Sequence, residues 1–200
     1  MLYIALFILA FPSSVHADAL PPSPFDRFSK HALAEWTVIG ETLPASPAAI
    51  AKLLSDLPAA VRLARAVTGL DYVLVPVDTG EYELTTPRGL TARLRPTVIS
   101  LARDTGLFEA FGSGTFRRQN FTFRGLYALR FVYHGSPTGP SCISNIYLYI
   151  DVENPFLRLL GLLARSLINR RVDEELQRML LEAKDVMAAA ENQLTRGMGF

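Results

Sequence analysis

The sequence has little of what builds most reactive centres. Its 200 residues hold one cysteine, Cys142, and three histidines. A lone cysteine excludes an intrachain disulfide and any site needing two thiolates. His16 falls in an apolar N-terminal segment, which leaves His31 and His134. Two histidines are few for a metal centre or a nucleophilic triad. Neither sign of charge dominates: 20 Lys and Arg stand against 19 Asp and Glu, a net +1. That balance argues against nucleic acid as a partner. With half the residues apolar, disorder is excluded as well. No Gly-x-Ser-x-Gly, His-Glu-x-x-His, Cys-x-x-Cys or phosphate-cradling glycine loop occurs. The expectation is no catalytic residue, no metal and no cofactor.

One long apolar run does occur, residues 2–11, before Pro12-Ser13-Ser14 and the small-x-small sites ending at Ala17 and Ala19. It reads as a secretory signal peptide over 1–19, so the chain is expected to be exported, periplasmic or secreted. The run is short for a bilayer span. Its start lacks Lys and Arg, and an uncleaved N-terminal anchor is the alternative. In an oxidising compartment Cys142, set in an apolar strand pattern, reads as a small buried hydrophobe.

Leu20-Pro21-Pro22-Ser23-Pro24 opens a proline-rich spacer over 20–34, with a short helix open from Phe25. Glu35 to Thr42 alternates as a strand, with Trp36, Val38 and Gly40 on one side. Ser46-Pro47 starts a helix, Pro58 divides it from a second, and Gly69 ends that one. Six strands follow: Asp71–Val77, Glu81–Thr86, Leu90–Arg103 with a break at Pro96, Leu107–Arg118 with a kink or bulge at Gly112-Ser113-Gly114, Phe123–His134 and Cys142–Val152. Asn154-Pro155 then starts a long amphipathic helix, with Leu160, Leu163, Leu167, Val172, Leu176, Met179, Ala183, Val186 and Ala190 at steps of three, four and one five. Short turns between consecutive strands mean an antiparallel sheet, and the class is α+β.

Two stretches carry a resemblance: Leu43 to Asp56, leading from first strand into helix, and Tyr147 to Val152 running into Asn154-Pro155-Phe156. With the element order, they make the region 35–194 similar to the helix-grip fold of START-related, SRPBCC-type lipid-binding and polyketide cyclase-like proteins. The resemblance implies a seven-stranded antiparallel sheet wrapped around the long C-terminal helix, with two short helices after the first strand. It also implies a cavity between sheet and helix for a lipid or other hydrophobic small molecule. Residues 195–200 are left as a disordered tail.

On that reading the candidate cavity residues are Arg93, Arg95, Tyr127, Leu129, Phe131, Tyr133, Ile146, Leu148, Ile150, Leu160, Leu163 and Leu167. An arginine aimed into an apolar cavity could hold a carboxylate or phosphate. The competing reading puts Arg93 and Arg95, like Arg117, Arg118, Arg124 and Arg130, on a solvated outer face. Arg158, Arg165, Arg170 and Arg171 make the helix's first half basic, which leaves peripheral membrane contact open. Three functions stay in play: a carrier or sensor of a lipid-like ligand, a cyclase or hydrolase using Tyr127, Tyr133 or Arg93, and an envelope interaction module presenting Tyr147 and Tyr149.

Overall fold

The computed structural model describes residues 24–87, 90–102, 104–118, 121–152, 158 and 165–197. The helices are α1 (Pro24–Ser29), α2 (Pro47–Ser55), α3 (Leu57–Thr68) and α4 (Arg165–Thr195). The strands are β1 (Ala34–Leu43), β2 (Val73–Asp78), β3 (Glu81–Thr85), β4 (Leu90–Leu101), β5 (Thr105–Arg118), β6 (Phe121–Gly135) and β7 (Cys142–Val152). All seven form one antiparallel sheet in the order β1-β7-β6-β5-β4-β3-β2. The chain is therefore α+β, with a helix pair after the first strand and a long C-terminal helix on the sheet, as expected.

Local chemistry sets the boundaries of the helix pair. Ser46 is extended, and its hydroxyl accepts from the Ala49 N–H. Pro47 follows, where a missing N–H costs nothing. Asp56 ends α2 and caps α3, accepting from the Ala59 N–H at 2.9 Å. Gly69, at φ 66°, closes α3 in the left-handed conformation that glycine tolerates best.

Helix α4 spans about 46 Å at the standard rise. Its core-facing stripe runs Leu176, Leu180, Ala183, Met187, Ala190 and Leu194, in steps of four and three; Leu180 and Ala190 are buried and the others partly so. Leu180 replaces the expected Met179 as the more buried position. The helix ends at Thr195. The expected start at Asn154-Pro155, and the candidates Leu160 and Leu163, lie outside the described residues. Polar ties that fix α4 among the described residues include Lys184 to Glu41 of β1, Glu191 to the N–H and hydroxyl of Ser46, and Tyr72 to Glu182.

Two strand irregularities decide which side chains face the helices. In β1 the register shifts between Val38 and Glu41. Gly40, at φ 71°, sits in this bulge, and its N–H donates to Asn145 Oδ1. The extra residue moves the inward positions from Trp36 and Val38 to Glu41 and Leu43, which brings Glu41 to Lys184. In β4 the shift falls between Pro96 and Val98, where proline cannot donate to the ladder. The kink or bulge expected at Gly112-Ser113-Gly114 is absent, because the register runs unbroken on both sides of β5 there. Gly112 makes room for a side chain instead.

Helix α1 packs on the opposite face of the sheet from α4. Phe25 is buried against Tyr149 and beneath the Arg130 guanidinium, 4.0 Å from its ring centre. Arg130 also donates to Glu109 at 2.6 Å and pairs with Asp26 at 3.1 Å. The outer face at Arg130 and Tyr149 is thus covered, where strand alternation alone suggested a solvated surface.

Candidate functional site

The inner face of the sheet can be read as four parallel rows crossing the strands. One row holds Glu41, Ser144, Tyr133 and Gly106, and the next holds Val38, Ile146, Phe131 and Phe108. Then come Trp36, Leu148, Leu129 and Ala110, and finally Ile150, Tyr127, Gly112, Leu94 and Tyr82. Burial falls along this sequence. In the first row Tyr133 and Ser144 are fully enclosed; in the last, Ala34 opposite Ile150 is buried at the β1 edge, while Ile150, Tyr127, Gly112, Leu94 and Tyr82 are half-buried. The inner face has a closed end and a half-covered end.

At the closed end, Tyr133 lies flat over Gly106, where a Cβ would come within 2.2 Å of its ring. Its ring also stacks obliquely on Phe131 with centres 5.3 Å apart. The Tyr133 hydroxyl has no hydrogen-bond partner among the described residues. Burial, and then the neighbouring Cys142 sulfur, push this phenol up to about 12. Burial, and then the Glu191 carboxylate, push the Cys142 thiol up to about 11. Both groups are neutral at physiological pH, so neither a thiolate nucleophile nor a phenolate base is present. This end is packing.

At the half-covered end, Tyr127 repeats the arrangement over Gly112, but its hydroxyl donates to the Arg93 carbonyl at 2.8 Å. Burial again raises its pKa. Around it stand Leu129, Leu148, Ile150, Leu94 and Tyr82, and none of these residues is charged. The surface is apolar and incompletely covered.

The structure therefore brings Tyr127, Leu129, Phe131, Tyr133, Ile146, Leu148 and Ile150 onto one face. It does not bring Arg93 and Arg95 there. Leu94 between them is in the core, so strand alternation puts both arginines on the outer face, where Arg93 pairs with Glu83 at 3.4 Å. Leu167 falls within α4, and its side chain lies outside the described residues. The phenols of Tyr127 and Tyr133 stand six residues apart on one strand, about 20 Å. With Arg93 on the other face, the three polar groups of the enzyme reading do not converge. Sequence reasoning missed Leu94 and Tyr82, whose pairing opposite Gly112 emerges only from the sheet register. It missed Glu41 and Lys184 because the bulge that joins them is a single-residue event.

His134 is exposed at the end of β6. His31 is exposed too, and its carbonyl accepts from Arg158, which also pairs with Asp151 at 3.4 Å. Among the described residues no three His, Cys, Asp or Glu are grouped to hold a metal, and no helix is long and apolar enough to cross a membrane.

Neither a family model nor a curated protein matches the chain. Solved structures resemble it at low identity. A conserved protein from Geobacillus kaustophilus is 12% identical with a TM-score of 0.48, covering 80% of this chain and 95% of its own. Ara h 8.0201 is 12% identical with a TM-score of 0.46, covering 82% and 99%. The protein TTHA0849 from Thermus thermophilus is 15% identical with a TM-score of 0.37, covering 78% and 97%.

Proposed function

We propose that the protein is an exported, non-enzymatic carrier or sensor of a hydrophobic, lipid-like small molecule, held against the half-covered end of the inner sheet face. One observation carries this reading. A contiguous apolar surface of Tyr82, Leu94, Tyr127, Leu129, Leu148 and Ile150 faces the helix side and is only partly buried. Apolar surface left in water is costly, and covering it is worth about 25 cal/mol per Å². A ligand of matching apolarity gains that free energy on binding. Export rests on the apolar N-terminal run and its small-residue cleavage sites.

The test uses the neutral dye Nile red, whose emission rises in an apolar site. Saturable uptake by the purified protein is the expected result. Leu148→Arg sets an unpaired charge on the surface and should weaken uptake by roughly tenfold or more. Absence of uptake, or equal uptake by a folded Leu148→Arg variant, would sink the proposal. Native mass spectrometry of protein from its own host would identify the natural ligand.

A further inference from the structure

The outer face of the sheet carries a cleft of about 490 Å³ beside α1, whose lining also reaches Gly112 and Tyr127. The register sets Arg95 opposite Phe111, Arg93 opposite Ser113, and Ser113 opposite Leu126. Phe28 of α1 meets Phe111 edge to face, ring centres 6.4 Å apart, and bounds one side. One wall is therefore apolar: Phe28, Phe111 and the exposed Leu126. On the β4 side stand Arg93 and Arg95, with Glu81 the one carboxylate of the lining, and Arg124 stands on β6 beside Leu126.

The arginines differ in commitment. Arg93 is engaged with Glu83. The Arg95 side chain makes no ion pair or hydrogen bond among the described residues. A guanidinium without a counter-ion, beside an aromatic wall, suits a planar anion: it binds a carboxylate through two parallel N–H donors, and an aromatic ring attached to that anion packs on the wall. A solvated arginine face would need neither the concavity nor the aromatic boundary that α1 supplies.

We propose that this cleft is a second ligand site, opening beside α1 and bordering the first at Gly112 and Tyr127, for a small aromatic carboxylate. Arg95 is its primary anion contact, and Phe28 and Phe111 hold the ring.

The test titrates the full chain with 2-naphthoate and, as the uncharged control, 2-naphthylmethanol, followed by amide chemical shifts. Naphthoate should bind saturably, shift the amides of Phe111, Ser113 and Leu126, and bind roughly tenfold or more tightly than the alcohol, as one charge-assisted pair implies. Arg95→Gln should remove that preference and leave Nile red uptake on the inner face unchanged, so the two sites fail or stand separately. Ser113→Phe, which fills the cleft, should abolish naphthoate binding. No naphthoate binding, equal binding of acid and alcohol, or insensitivity to Arg95→Gln would overturn the proposal. So would charge-dependent binding seen only with phosphatidylglycerol vesicles, which would assign the arginines to a membrane surface.

Discussion

Tyr127 and Tyr133 occupy the same face of β6, and each lies over a glycine of β5. Their surroundings differ in every other respect. Tyr133 is closed in by Phe131, Cys142 and the capped start of α2, and its hydroxyl has no partner among the described residues. Tyr127 lies in a half-covered row, and its hydroxyl is satisfied by a backbone carbonyl. The closed end uses its apolar surface for folding. The other end keeps apolar surface uncovered, and uncovered surface of that kind is what a ligand uses. Stability and binding are thus assigned to opposite ends of one sheet face.

The sharpest way to break this contrast is truncation. Tyr133→Ala should cost about 3–5 kcal/mol in urea unfolding, since it empties a fully enclosed site. Tyr127→Ala should cost about half as much or less, because water already reaches that row. Equal losses would mean that the two ends are equally packed.

Alkaline titration sharpens it further. Tyr133 titrates near 10 when unfolded and at about 12 when folded. Its contribution to stability is whole below pH 10 and disappears as pH rises from 10 to 12, by on the order of 2–3 kcal/mol. Tyr127, raised in the same direction, adds to the loss. Tyrosinate absorbance should therefore rise in step with unfolding, and Tyr133→Phe should reduce the alkaline loss. Normal phenol titration in the folded protein would contradict the burial of both rings.

The smallest effect is the most discriminating. Tyr133→Phe deletes a hydroxyl that makes no hydrogen bond among the described residues and should be neutral or stabilising by up to about 1 kcal/mol. Tyr127→Phe deletes a made bond and should cost about 0.5–1.5 kcal/mol. Opposite signs from the same substitution on the same strand face would support the contrast; like signs would remove it.

Much of this was legible in the residues. Phe131, Tyr133, Ile146 and Leu148 alternate with their neighbours along the chain, and that period alone put them on one face. Ser46-Pro47 and Gly69 marked helix ends through backbone constraints that act within a few residues. The reading of Gly112-Ser113-Gly114 as a kink or bulge failed for an instructive reason. Glycine in a strand signals either a bulge or a close approach, and the partner that decides between them, Tyr127, comes from another strand. Arg93 and Arg95 stood open between the cavity and a solvated outer face, because an arginine pattern does not say which face of a sheet is the inside.

The sequence by itself determined the α+β class, the order of elements, the apolar stripe of the last helix and the strands' two-sidedness, because propensity, capping and periodicity are properties of neighbours along the chain. Only the tertiary structure decided which face meets α4, that α1 covers part of the other, and where the inner face is closed and where it is half-covered. Those are properties of pairs such as Glu41 with Lys184, Phe25 with Tyr149 and Tyr127 with Gly112. Each pair joins residues from different elements, and a one-residue shift in register, like the bulge at Gly40, reassigns them all.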